Sequence, residues 1–239
     1  GATPVATPEI DLRADVDFLL EHVTARTRVL FLANPNNPTG SYLSRGELRR
    51  LWSGLPENIL LVIDSAYAEY VMGTEYEAGA ELVNAGKNVV MTRTFSKIYG
   101  LAALRLGWCY ASQEVIDVMN RVRGPFNVTA PALAAGLAAV QDQGHIDKAR
   151  RHNDKWLKRL EPELQNIGIT ALPSVCNFLL LRFPEGEDHD SRAADIFLAN
   201  RGILVRNVDS YHLPDCLRVS IGRDDEMDAL LSALKEFMA

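Results

Sequence analysis

The chain has 239 residues, 47% of them hydrophobic, enough to bury a core as one large domain or as a large and a small one. A formal charge of -6 at pH 7 excludes a general attraction to nucleic acid or anionic lipid and points to a small-molecule partner. Cys109, Cys176 and Cys216 are widely spaced and form no C-x-x-C pair, which argues against a disulfide framework or a zinc site and for reduced thiols in a cytoplasmic protein. No window is apolar enough to span a bilayer, and the first residues lack the regions of a signal peptide. The histidines at 22, 145, 152, 189 and 212 lack metal-ligand spacing, so no bound metal is expected. Each reads as structural or surface, with His212 the one to watch.

Between residues 28 and 111, short apolar runs alternate with amphipathic ones: "RVLFLA", a helical "SRGELRRLWSGL", "NILLVID", "NVVMTRT" and "RLGWCYAS". This is the pattern of an α/β fold. Runs such as "ILLVI" fit strands covered on both faces, as in a mostly parallel sheet flanked by helices. Ligands gather at the carboxyl ends of such strands, where "LANPNN", "VIDSAY" and "TRTFSK" would meet. From about residue 126 a long helical region follows, expected to bend near Gly144 and to end around Gly168. It divides the chain into a large domain (1–125), a linking helical region (126–168) and a smaller α+β domain (169–239). That last part reads strand ("SVCNFLLLRF"), helix ("SRAADIFLANRG"), two strands ("ILVRNV", "CLRVSIG") and a final helix. The basic cluster "KARRHNDKWLKRL" reads as a solvated helix face.

Four stretches carry candidate chemistry. "NPNNPTG" (34–40) is a turn after a strand, or a rigid loop whose two prolines hold the Asn37 amide toward a ligand. Asp64 closes an apolar strand, either as a helix cap or as the partner of a buried cation. Tyr67 follows with its phenol nearby, or as a core aromatic. In "TRTFSKIYGLAALRLGW" Lys97 sits among small, hydroxylated and apolar residues. Poor hydration there would lower its pKa from about 10.4 and make it a nucleophile. Thr94, Ser96, the backbone N–H groups around them and Arg105 would form an anion site beside that amine, which suggests a carbonyl compound carrying a phosphate. Arg218 lies within the apolar strand "CLRVSIG", paired either with a structural carboxylate or with a substrate carboxylate or phosphate, and Arg206 repeats the arrangement nearby.

The ordered set N-P-x-N-P-T-G, D-x-A-Y, T-x-S-K with an arginine eight residues on, and L-R-V-S-I-G resembles the class I/II aminotransferases of the pyridoxal-phosphate fold type I. "FLANPNNPTG", "NFLL", "GILVR" and "LPDCLRVSIG" most resemble its histidinol-phosphate branch. The resemblance implies pyridoxal 5'-phosphate as cofactor, joined covalently to Lys97. Asp64 would pair with the pyridine nitrogen, Asn37 and Tyr67 with O3', and Thr94, Ser96 and Arg105 with the phosphate. It also implies Arg218 as the substrate-carboxylate arginine, Arg206 with Arg218 as the binder of a substrate phosphate, and Asn177 in the substrate pocket.

The implied reaction is transamination between an amino donor, histidinol phosphate, and a 2-oxo acid, 2-oxoglutarate, by a cytoplasmic homodimer. Alternatives are an aromatic aminotransferase, a phosphothreonine-type decarboxylase, the sensor domain of a transcription regulator, or an inactive remnant. Family members carry an early glycine-containing phosphate loop, a ring-stacking aromatic and a tyrosine that reaches the partner's site. The opening "GATPVATPEIDLRADVDFLLEHVTARTRV" instead reads as the middle of the large domain, so an N-terminally truncated chain is expected.

Overall fold

The computed structural model describes residues 1–186 and 188–239. They form two compact units, one of residues 1–36 and 41–147, the other of residues 37–40 and 148–239.

The first unit opens on a short antiparallel pair, β1 (Glu9–Ile10) and β2 (Arg13–Ala14), followed by α1 (Val16–Glu21), whose first turn is capped by Asp15. Its main sheet contains β3 (Val29–Ala33), then, after α2 (Arg45–Gly54), β4 (Leu60–Asp64). After α3 (Ala80–Ala85) come β5 (Val89–Thr94) and β6 (Gly107–Ala111). The strand order is β3-β4-β5-β6, parallel except for β6. The expected mostly parallel sheet is therefore present, with one antiparallel edge.

Helices α1 to α3 bury one face of this sheet through Leu19, Leu48, Leu51 and Leu82 against Leu30, Leu32, Leu61 and Ile63. Coverage of both faces was expected from the apolar runs. On β3, however, residues alternate between buried and exposed, and Phe31 is 76% accessible. Hydrophobicity alone does not separate two faces that are both apolar. Next come α4 (Gln113–Val122) and α5 (Ala130–Gln141), the latter capped by Thr129. Gly136 of α5 lies so close to Leu106 that a Cβ would come within 2.4 Å of its side chain.

Helix α6 (Gln143–Gln165) follows a break at Asp142, two residues before the expected bend at Gly144. In the second unit, β7 (Thr170–Ala171), β8 (Phe178–Arg182), β9 (Arg206–Asn207) and β10 (Cys216–Ser220) form an antiparallel sheet of order β7-β8-β10-β9. Trp156, Leu160 and Leu164 of α6 pack on it with Leu198 of α7 (Ser191–Ala199) and Leu230, Leu231 and Leu234 of α8 (Asp224–Phe237).

Candidate active site

In the first unit, parallel register places the carboxyl ends of β3, β4 and β5 at one edge, with Asp64 opposite Thr92. Asp64 Oδ1 accepts from the Ala66 N–H at 3.2 Å and lies 3.4 Å from Thr92 Oγ1. It thus closes the turn after its strand rather than capping a helix, since the 3-10 turn Ala68–Tyr70 that follows starts at Tyr67 without a side-chain cap. The carboxylate is nevertheless exposed, and among the described residues it has no cationic partner and nothing on Oδ2. Ser65 anchors the turn by donating from its N–H to Thr92 O at 3.0 Å and from its hydroxyl to Ala78 O at 2.6 Å. Tyr67, two residues further, is 5% exposed and belongs to the core.

The loop after β5 is folded by its own backbone. Phe95 N–H donates to Leu106 O at 3.0 Å, Leu101 N–H to Phe95 O at 2.9 Å and Gly100 N–H to Lys97 O at 2.9 Å. Phe95 is buried beside Leu106 and Ala132, so this loop rests on α5. Ser96 N–H donates to Thr94 Oγ1 at 3.0 Å, and Arg105 Nη1 reaches Ser96 Oγ at 3.5 Å and Ala102 O at 2.8 Å. Thr94, Ser96 and Arg105 are thereby brought together. Arg105 itself sits at φ 51°, in the left-handed region, which costs a non-glycine residue about 1 kcal/mol.

Lys97 Nζ lies 5.1 Å from the centroid of the Tyr67 ring. No carboxylate among the described residues pairs with it. Lys97 is half-buried, with the aromatic face of Tyr67 on one side of the ammonium.

In the second unit, Arg218 on β10 stands opposite Arg206 on β9 and Leu180 on β8. Its Nη1 donates to Asn37 Oδ1, its guanidinium lies 5.1 Å from the Phe178 ring, and its buried Nε has no partner. A structural carboxylate, one of the two readings of this arginine, is absent among the described residues. Arg206 is exposed. Asn37 is held by the end of its motif: Val175 N–H donates to Gly40 O at 3.1 Å, and Gly40, at φ +75°, passes so close to Ser174 that a Cβ would fall 2.2 Å from Oγ. Asn177 precedes β8 and accepts from Ile221 N–H through its carbonyl at 2.9 Å.

Three contacts escaped the sequence reading. Glu69 and Arg93 form a buried ion pair at 2.5 Å, with side chains 7% and 17% exposed, two residues from Tyr67 and one from Thr94. The two residues are a glutamate in "DSAYAEY" and an arginine in "TRT", 24 residues apart, with no local pattern that pairs them. Thr92 flanks the Asp64 carboxylate. His145 Nε2 lies 3.0 Å from Ile98 O, next to Lys97 in the chain.

The model of the family described as aminotransferase class I and II matches residues 2–234. The chain belongs to that family. Among its relatives, the histidinol-phosphate aminotransferase of Paramagnetospirillum magneticum is 56% identical over 238 residues, covering 100% of this chain and 66% of the relative. That of Rhodopseudomonas palustris strain HaA2 is 48% identical over 239 residues, again covering 100% and 66%. The chain thus spans just under two thirds of the length of these curated relatives. A crystal structure of histidinol-phosphate aminotransferase from Sinorhizobium meliloti in complex with pyridoxal 5'-phosphate superposes with a TM-score of 0.88 at 32% identity, over 98% of this chain and 64% of that one. Class I and II aminotransferases are pyridoxal-phosphate enzymes, and the fold is that of fold type I.

Proposed function

We propose that the protein transfers the amino group of histidinol phosphate to 2-oxoglutarate, with pyridoxal 5'-phosphate held at the sheet edge of the first unit. The carrying observation is Lys97, a half-buried amine without a carboxylate partner among the described residues, on the same loop as the Thr94–Ser96–Arg105 donor group. The donor set fits the cofactor: an amine for the aldehyde, a cluster of hydroxyl, amide and guanidinium donors for the phosphate, and a carboxylate, Asp64, with Oδ2 available for a cationic ring nitrogen. The names of the relatives at 48% and 56% identity support the choice of substrate.

When bound, the cofactor supplies a protonated pyridine ring that withdraws the electron pair left at the substrate Cα. Asp64 would keep the proton on the ring nitrogen by charge. Tyr67 and Asn37 would each offer a hydrogen bond to O3'. Lys97 Nζ would hold the cofactor's aldehyde carbon and, as a free amine, would act as the general base toward the Cα proton. Arg218 serves two anions in turn, the carboxylate of the 2-oxo acid and, together with Arg206, the phosphate of the amino donor. The planar guanidinium binds either in bidentate fashion. Asn177 lines the substrate side. The family resemblance extends the proposal to a cytoplasmic homodimer, which sedimentation and cell fractionation test.

The decisive experiment offers histidinol phosphate, phenylalanine and threonine phosphate side by side to the cofactor-loaded protein in single turnover. Transamination of histidinol phosphate at least about tenfold faster than of phenylalanine is expected. Carbon dioxide from threonine phosphate, or a preference for phenylalanine, would replace the proposal with a decarboxylase or an aromatic aminotransferase.

A further inference from the structure

We propose that Glu69 and Arg93 are positioning residues that set the Tyr67 ring against Lys97. The inference rests on the functional reading above only for the role of Lys97. Tyr67 and Lys97 stand on two separate loops, one after β4 and one after β5, and their alignment at 5.1 Å is not fixed by strand pairing. The hydrogen-bonded register of β4 and β5 stops at Asp64 and Thr92, before either residue is reached.

Beyond that point the Glu69–Arg93 pair joins the first loop to the end of β5, side chain to side chain. Glu69 lies in a short 3-10 turn, Ala68–Tyr70, that begins directly after Tyr67. Arg93 lies at the end of β5, opposite Trp108 on β6, and its guanidinium sits 5.6 Å from that indole ring. Flanked by the carboxylate and the indole, the arginine is held on two sides. The ion pair holds the side chain in place even though its buried Nε has no partner, an unmade bond that by itself costs free energy.

Such a pair is not needed to hold the sheet. Apolar burial in α1 to α3 and the strands does that, and neither Glu69 nor Arg93 belongs to that cluster. A hydrophobic pair of the same volume would stabilise the fold at least as well. What the ion pair adds is direction: a fixed contact between the loop that carries the phenol and the strand end that leads to the amine.

The test compares native protein, Glu69→Gln, Tyr67→Leu and the double variant. In cofactor-free protein, amide hydrogen exchange should rise about tenfold in Glu69→Gln within residues 66–70 and 95–101 while α2 and α8 keep native rates. In cofactor-loading experiments, covalent capture of pyridoxal 5'-phosphate by Lys97, followed by borohydride trapping, should slow about tenfold in Glu69→Gln. The double variant should be no slower than Tyr67→Leu alone, because Glu69 acts through the ring. Losses that multiply, native capture in Glu69→Gln, or exchange that rises evenly over the unit would each overturn the proposal. Should Glu69→Gln fail to fold, Arg93→Lys, which keeps the cation but not the fork, carries the same comparison; unfolding of both would show a role in stability alone and also overturn it. If native protein captures no cofactor while the exchange pattern holds, the functional reading fails and the positioning role stands.

Discussion

Charges on the outer helices and charges at the motif loops are treated differently by this chain. On the helices they meet opposite charges: Arg49 with Glu81, Lys155 with Asp224, Arg159 with Glu163 and Asp228, Arg201 with Glu236. At the loops, Asp64, Lys97 and Arg105 of the first unit and Arg218 of the second have no opposite charge among the described residues. A charge compensated on the outer helices belongs to the fold, whereas one left uncompensated beside fixed dipoles is arranged for a ligand that brings the counter-charge. Removing the second kind should abolish function and spare stability; removing the first should do the reverse.

Lys97→Ala breaks the comparison at its strongest point. Turnover should fall by about four powers of ten or more, since both the covalent attachment and the general base are lost, while thermal stability stays within roughly 0.5 kcal/mol of native. Peptide mapping after borohydride reduction checks the assignment: any label fixed to another lysine sinks it. Next in size is Asp64→Asn. Two opposite charges about 4 Å apart at an effective dielectric near 20 attract by roughly 4 kcal/mol, or about three powers of ten. Tyr67→Phe removes a hydrogen bond of about 1 kcal/mol, so its single-turnover rate should fall only about fivefold. Equal losses for the two variants would mean that the carboxylate does not face the ring nitrogen.

Arg105→Gly separates the two classes by sign. Glycine accepts the left-handed backbone that Arg105 adopts at φ 51°, so the variant should gain up to about 1 kcal/mol in unfolding free energy. Losing a charge-assisted donor worth roughly 1.5–3 kcal/mol should weaken retention of pyridoxal 5'-phosphate about tenfold to a hundredfold. Equilibrium dialysis and a thermal melt on the same sample measure both. A stability loss without a change in retention would place Arg105 among the charges that serve the fold.

What the sequence disclosed follows the same division. The strands at 29–33, 60–64 and 89–94 were legible as apolar runs, because burial of consecutive Val, Ile and Leu leaves a local trace. The motif residues were legible because uncompensated polar groups stand out against such runs. The Glu69–Arg93 pair was hidden, since each partner alone resembles an ordinary surface charge and only the fold brings them together. The antiparallel direction of β6 and the open side of β3 were hidden for a related reason: pairing direction and one-sided coverage are properties of neighbours, not of the strand's own residues. Strand β9 shrank to Arg206–Asn207 although "ILVRNV" reads as a longer run, because β10 offers it only Leu217 and Arg218 as partners.

The smallest expected effect comes from the paired side of the comparison. Glu47 closes the capping box of α2 with Ser44 and accepts from Arg13, and that guanidinium, helped by the Ser44 donors, holds its carboxyl down at about 2 from an ordinary 4.5. A depressed carboxyl stabilises the folded state at pH values above its unfolded pKa, and the contribution drains away as pH falls toward the folded one. The side chain is 33% accessible, so solvent screening reduces the benefit to about 1 kcal/mol. Native protein should therefore exceed Glu47→Gln in unfolding free energy by about that amount above pH 5, and the gap should close between roughly pH 4.5 and 2. Denaturant titrations across that window measure the gap, while cofactor capture by Lys97 at neutral pH should match in the two proteins. A gap that persisted at the acid end would mean that Glu47 stabilises α2 through packing and not through its charge.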